Sequence, residues 1–304
     1  MSGPVVVLAG GTGGAKLARG MLDVVGPERL TVVANTGDDI EIYGAYVSPD
    51  PDLVTFWLAD RIDERGWGLE GDTFAVMDGL RELGVDVWFN LGDRDLAIGL
   101  ERARALRQGS TPTAAHAAIT AALGVPGTVL PAADQPIRTR VMAHDRWWGF
   151  QEFMIRGQAR GPIQDVDFHG ARAAPATPQV LQALAQAEAI VIGPSNPVVS
   201  IGPILAADGL RRAMQDAPAA VVAVSPLVGG EVVKGPTAAF MEWAGQPLSS
   251  DGIANSYAGL ISGIVADERT DLLPVLETEM LLDTPQRRRE LAEQTLDFAL
   301  ALSD

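Results

Sequence analysis

Residues 4–20 read "PVVVLAGGTGGAKLARG", and few folds admit such a run. An apolar β-branched segment of this length is a strand buried on both faces. The glycines that follow let the backbone turn where side chains would collide. Leu17, Met21 and Val24/Val25 then recur at helical spacing. "LTVVANTGDD" is a second buried strand, ending in a polar turn. Together these form a βαβ unit, which predicts parallel strands and a right-handed crossover.

The glycine turn fits neither standard phosphate motif. A dinucleotide fingerprint starting at Gly11 needs glycine at 16, where Lys16 stands. A P-loop needs Gly-Lys-Ser/Thr, and the order here is Ala15-Lys16-Leu17. An NAD-type site also expects an acid about twenty residues on; the count lands at Ala34-Asn35. The physical content survives, because small residues open backbone N–H groups to a phosphate and the helix N-terminus adds positive potential.

The pattern from 53 to 125 is mostly helical, interrupted by "VDVWFNLGDRD", read as a short strand and a charged turn. Residues 126–175 are β-rich, with an alternating hairpin around "HDRWWG". Strand and helix then alternate again: "AIVIGPSNP", "IGPILAADGLRRAMQDA" as one helix, and "AVVAVSPLVGG". A last helix starts at Thr284-Pro285, and its "RRRE" is read as a solvated face. The expected fold class is α/β: one domain over 1–304, a doubly wound, mainly parallel sheet with a helical insertion (53–125) and a small β insertion (126–175). Ligands in such sheets sit beyond the carboxyl ends of the strands. That rule selects the loops at 10–16, 35–39, 193–197 and 225–230.

Composition narrows the function. The 304 residues carry a formal charge of −16, which disfavours nucleic acid. There is no cysteine, so disulfides, thiolate metal sites and thiol nucleophiles are all excluded. No apolar run reaches membrane-spanning length and no basic leader precedes the first strand, so a cytoplasmic enzyme is expected. His116, His144 and His169 lie scattered, with no metal-type spacing.

The selected loops carry the chemistry. "NTGDD" (35–39) and "SPDPD" (48–52) bring Asp38, Asp39, Asp50 and Asp52 close to the glycine loop. Carboxylate oxygens and substrate phosphates together suit Mg²⁺. Ser195 and Asn196 end a buried strand, where they donate to phosphate or cap a helix. Ser225, Gly229, Gly230 and Lys234 mark the fourth loop. In "LGDRD", Arg94 between Asp93 and Asp95 is read as a structural ion pair.

Taken in order, "GGTGGAKL", "NTGDD", "SPDPD", "LGDRD" and "PSNPVVSIGPIL" resemble the 2-phospho-L-lactate transferase family of coenzyme F420 biosynthesis, whose bacterial branch is described as phosphoenolpyruvate transferase. The resemblance runs from about residue 5 to 240. It implies a Rossmann-like fold with a smaller inserted domain, usually as a homodimer. It implies transfer of a phosphoryl-linked three-carbon acid (2-phospholactate, phosphoenolpyruvate or 3-phosphoglycerate) from a guanylylated, GDP-type diphosphate to the deazaflavin alcohol FO. GMP is released, F420-0 or a close analogue forms, and Mg²⁺ is required. Carried onto this sequence, the metal position falls on Asp38, and FO contacts fall on Asp52 and Asn90. Asn90 stands where some members carry a basic residue. Gly10, Gly11, Thr12, Gly13 and Gly14, with Lys16, Ser195 and Asn196, match the nucleotide and phosphate side. The proton of the FO hydroxyl passes to Asp39 or Asp50. The alternative is a nucleotide-sugar-binding regulator of the related gluconeogenesis-factor group, which shares the glycine loop and the broad fold.

Overall fold

The computed structural model of the chain describes residues 3–303. In chain order its strands are β1 (Val5–Ala9), β2 (Leu30–Ala34), β3 (Ile40–Ile42), β4 (Ala45–Val47), β5 (Thr128–Pro131), β6 (Arg138–Ala143), β7 (Arg146–Gly149), β8 (Ile163–His169), β9 (Ala189–Ile192), β10 (Val221–Val224), β11 (Leu227–Val228), β12 (Glu231–Val232), β13 (Gly263–Ala266) and β14 (Val275–Glu277). The α-helices are α1 (Gly11–Val25), α2 (Pro49–Leu58), α3 (Ala75–Glu82), α4 (Asp93–Arg107), α5 (Pro112–Leu123), α6 (Phe150–Ile155), α7 (Pro178–Gln186), α8 (Gly202–Ala206), α9 (Leu210–Gln215), α10 (Thr237–Trp243), α11 (Ser250–Ser256) and α12 (Pro285–Ala301).

Seven strands form one sheet in the order β14-β13-β10-β9-β1-β2-β5, with every neighbouring pair parallel. Both faces are covered, as the continuous apolar strands require. Strand periodicity sorts the side chains. Val5, Val7 and Ala9 pack with Leu17 and Met21 of α1 and Leu291 of α12. Val6 and Leu8 point the other way, to Leu184 of α7, Ile204 of α8 and Ile253 of α11. The chain leaves β1 towards β2 and β5, then returns to the other side of β1 as β9. The order therefore reverses between β1 and β9, and that is where a ligand crevice opens in such sheets.

Two smaller β units flank this core. The β3–β4 hairpin packs with α3 and α4 through Ala45, Val47, Met77, Leu91 and Leu96. Strands β7-β6-β8 form an antiparallel sheet, and Phe153 of α6 packs beneath it with Val141, Val199 and Phe240. No helix among the described residues is long and apolar enough to cross a membrane.

The structure departs from the sequence reading in several places. No strand forms in 85–92; Trp88 and Phe89 lie in irregular backbone whose Phe89 N–H donates to the Tyr43 hydroxyl at 3.2 Å. Residues 128–131, grouped by pattern with the β insertion, are instead the edge strand of the main sheet. Residues 150–155, read as a continuation of the hairpin, are helical from the Gly149 N-cap onward. The expected single helix over 201–217 breaks between α8 and α9 at Gly209, whose φ is 81°. The Arg94 ion pair is absent: Arg94 donates to the Glu70 carbonyl, and neither neighbouring acid pairs with it. Asp93 accepts from the Ala75 and Val76 N–H groups at the start of α3 (3.1 and 3.0 Å), and Asp72 accepts from the Arg94 and Asp95 N–H groups at the start of α4 (2.9 and 3.1 Å). Each helix is thus capped from the other's flank. Arg288 of "RRRE" is not wholly solvated, since its guanidinium lies 5.1 Å from the Trp57 ring centroid.

The α1–α12 crossing generates an expectation of sign. A Cβ on Gly20 would stand 2.1 Å from the Arg288 carbonyl oxygen, whereas one on Gly79 of α3 would meet nothing within 4 Å. Helix propensity favours alanine at both positions by about 0.5–1 kcal/mol. Gly20→Ala should nevertheless destabilise the fold by about 1–3 kcal/mol, because it wedges two packed helices apart. Gly79→Ala should stabilise it slightly. Thermal or urea unfolding of the two variants checks the opposite signs.

Candidate active site

The loops after β1, β2, β9 and β10 line a cavity of about 410 Å³. Gly10 is the N-cap of α1, without a capping side chain, and no acid occupies the helix's first turn. The Gly11 N–H is taken by the Asp50 carboxylate at 2.7 Å, so the N–H groups that follow it are the ones left to an anion. Gly11 has φ 72° with open space around it, a conformation only glycine adopts without strain. A Cβ on Gly13 would stand 1.9 Å from the Pro194 carbonyl oxygen. The two loops, 10–14 and 193–196, thus touch backbone to backbone.

Gly10, Gly11, Thr12, Gly13, Lys16, Asp38, Asp50, Ser195 and Asn196 all line this cavity. Gly14 does not; it packs on Ala9 and Ser195, and a Cβ there would come within 2.9 Å of the Ala9 Cα. Asn196 spends its Oδ1 on the Val198 and Val199 N–H groups, at 2.9 and 3.2 Å. Its Nδ2 is buried without a partner, as is the Ser195 hydroxyl. Buried polar atoms normally find partners, so these two are candidates to meet a ligand. Burial, then the nearby charges of Arg288 and Lys234, lower the Lys16 pKa.

Four buried acids follow β2 and open α2. Asp50 accepts from the Gly11 N–H at 2.7 Å and from Asn35 Nδ2 at 2.8 Å. Asn35 in turn accepts from the Gly37 N–H at 2.7 Å, so one asparagine ties "NTGDD" to "SPDPD". Burial, opposed by those two donors, raises the Asp50 pKa to about 6. Asp38 Oδ1 is buried with no partner. Burial and then the Asp50 charge hold the Asp38 pKa well above the usual carboxylate range. Asp39 lines neither this cavity nor the next; it accepts from Ser48 Oγ (2.7 Å) and the Tyr46 hydroxyl (3.1 Å), and burial raises its pKa to about 7.

A second cavity, also about 410 Å³, adjoins the first. Trp67, Trp88, Phe89 and Phe56 give it an aromatic, apolar wall. Asp52 and Asn90 both face it. The buried Arg102 holds Asp52 with both guanidinium nitrogens and also donates to the Tyr46 carbonyl at 3.0 Å. Asn90 Oδ1 accepts from Arg81 at 2.7 Å, so a guanidinium from α3 reaches this position. Asp50 and Gln151 line both cavities, which makes them the junction.

Sequence reasoning missed the aromatic wall, Arg102 and α6 with Gln151. Trp67, Trp88 and Phe89 lie in loops with no periodicity to flag them. Arg102 sits on the buried face of α4, where an apolar residue is the default expectation.

Among the described residues, no three His, Cys, Asp or Glu side chains converge as a metal cage. Mg²⁺ does not need one, since it commonly takes one or two carboxylates together with substrate phosphates and water. An unpartnered buried oxygen on Asp38, repelled by Asp50 and Asp39, fits a cation that arrives with a phosphorylated ligand.

Residues 5–285 match the family model described as 2-phospho-L-lactate transferase CofD. The chain is 37% identical over 266 residues to a 2-phospho-L-lactate transferase of Methanosarcina mazei, covering 87% of each protein. It is 40% identical over 271 residues to a phosphoenolpyruvate transferase of Kitasatospora aureofaciens, covering 86% of this chain and 84% of that one. It is 37% identical over 324 residues to a phosphoenolpyruvate transferase of Thermobifida fusca, covering 99% of each. A crystal structure of a UPF0052 family member from Bacillus halodurans superposes with TM-score 0.64 at 17% identity, covering 97% of this chain and 99% of that one, a likeness of fold.

The buried acids set a pH dependence. Asp38 binds its proton more tightly folded than unfolded. The stability it contributes is therefore full below about pH 4 and is lost as the carboxyl ionises at higher pH. Asp38→Asn removes that loss. The metal-free variant should melt about 1–2 °C above wild type at pH 8, the shift that about 1 kcal/mol produces in a chain of this size. The gap should close towards pH 4, as differential scanning calorimetry across pH would show.

Proposed function

The chain belongs to the 2-phospho-L-lactate transferase CofD family, and from that membership we propose that it moves a phosphoryl-linked three-carbon acid from a GDP-type diphosphate to the deazaflavin FO. GMP leaves, and F420-0 or its close analogue is the product. The observation that carries this reading is the pair of cavities joined at Asp50 and Gln151. One offers the α1 N–H groups beyond Gly11 and two lysines to a diphosphate; the other offers aromatic rings to a flat heterocycle. A transferase between a phosphorylated donor and a deazaflavin acceptor needs that adjacency, because the reacting atoms must meet at the wall between the two sites.

The protein's own groups divide the work. The N–H groups of Thr12 and Gly13 and the side chains of Ser195 and Asn196 hold the diphosphate oxygens where negative charge builds. Lys16 and Lys234 add positive charge along the same wall. Asp38 would hold Mg²⁺, which supplies Lewis-acid neutralisation of the transferring phosphoryl group when bound. Asp52, fixed by Arg102, and Asn90 orient the acceptor. The acceptor hydroxyl oxygen bonds to the phosphorus that carries the three-carbon acid. The bond from that phosphorus to the GMP oxygen breaks. The hydroxyl proton passes to Asp50, whose pKa of about 6 leaves it mostly ionised yet basic near neutrality. Asp39 is not placed for that step, since it lines neither cavity.

Two experiments test this. FO, Mg²⁺, GTP and a guanylyltransferase partner are incubated with the protein and all three phospho-acids in competition, and the products are weighed by mass spectrometry. A deazaflavin product heavier by one phospho-acid unit is expected; its absence with every acid sinks the reading. Asp38→Ala should lose Mg²⁺-dependent turnover by at least about a hundredfold while remaining folded by circular dichroism. Full activity in that variant would remove Asp38 from the metal site.

A further inference from the structure

The aromatic cavity holds a third carboxyl that the proposed transfer does not use. Asp95, in the first turn of α4, lines it beside Asp52. Its own N–H is spent on Asp72, and among the described residues no donor reaches its carboxyl. The one guanidinium in reach, Arg102, is committed to Asp52 and the Tyr46 carbonyl. Asp52, Asp72 and Arg102 are the charged groups that face Asp95, from α2, the loop before α3 and α4. Asp50 lies further along the same cavity. An ionised Asp95 would have no hydrogen-bond donor and would face two like charges, which disfavours that state.

We propose that Asp95 acts in its neutral form, as a hydrogen-bond donor to a carbonyl of the acceptor's heterocycle, next to Asp52, which accepts from an adjacent N–H. The two carboxyls then read a donor–acceptor edge of the kind a pyrimidinedione ring presents. An ionised carboxylate offers acceptors alone, so Asp52 and Asp50 cannot supply the donor, whereas a protonated carboxyl can. Burial, then Asp52 and Asp72, against the opposing pull of Arg102, raise the Asp95 pKa to about 7, so the donor form is populated at neutral pH. A carboxyl kept neutral by an apolar site in order to donate is a recurring device in enzymes. The inference rests on the reading that this cavity takes FO.

Direct FO binding, followed by fluorescence from pH 6 to pH 8 without donor or metal, tests it. Asp95→Asn keeps a donor at every pH. Relative to that variant, wild-type affinity should fall about tenfold between pH 6 and pH 8, as a required proton with pKa near 7 dictates. Taking the ratio cancels any titration of FO itself or of Asp50. Asp95→Ala, which has no donor, should bind at least about fivefold more weakly than Asp95→Asn at both ends of the range. Equal affinity of the alanine variant and wild type at pH 6 overturns the role. So does a collapse of affinity in Asp95→Asn at all pH values, which would make the carboxylate an acceptor. Wild-type protein that does not bind FO at any pH overturns the acceptor reading itself, and the inference with it. Circular dichroism melts of both variants separate these results from unfolding.

Discussion

The site depends on one close approach, the start of α1 lying against the loop after β9. Backbone meets backbone there: a Cβ on Gly13 would strike the Pro194 carbonyl, and one on Gly193 would stand 3.0 Å from the Gly14 Cα. No other residue type allows β1 and β9 to deliver their loops to the same point. The contact sits where the strand order reverses, so the fold's topology and its glycines specify one crevice. The acids of the adjoining cavity are referenced to that contact. The Gly11 N–H fixes Asp50, Asn35 ties Asp50 to "NTGDD", and the result is a set of acids whose spacing no surface loop could hold.

Such an arrangement costs stability. Asp38, Asp39, Asp50 and Asp95 all hold their protons above the usual carboxylate range, each chiefly through burial. Random surface acids do not behave this way, and clustered shifts of this kind mark functional sites more often than structural ones. The like charges are kept together by the surrounding core, with Arg102 and Arg138 supplying a counter-field to Asp39 and Arg102 also to Asp95. The Asp38 side has no such guanidinium, which is where a cation bound with substrate would complete the balance.

What the sequence discloses follows from the range of each signal. The β1–glycine–α1 unit, the parallel sheet and the acids of "NTGDD" and "SPDPD" were legible, because strand burial, helix spacing and turn chemistry are local. "LGDRD" was misread because adjacency in sequence suggested a pair. Successive helix residues diverge by about 100° around the axis, so Asp93, Arg94 and Asp95 point to three separate tasks. Trp67, Trp88 and Phe89 carry no periodicity, since irregular segments are placed by what they pack on. Gln151 was hidden for another reason: α6 is a short helix inside an alternating stretch, where the hairpin pattern dominated.

The reciprocal capping of α3 and α4 by Asp93 and Asp72 reaches further than helix ends. Those two acids close residues 72–95 on themselves, and this closed segment carries Trp88, Phe89, Asn90 and Asp95. This part of the aromatic cavity's wall is therefore built as a cassette whose internal bonds do not run through the main sheet. Residues on this segment can therefore be exchanged without disturbing the glycine loop and the acids of the other cavity. A fold assembled in this way gives each of its two cavities its own support, and lets their linings drift independently.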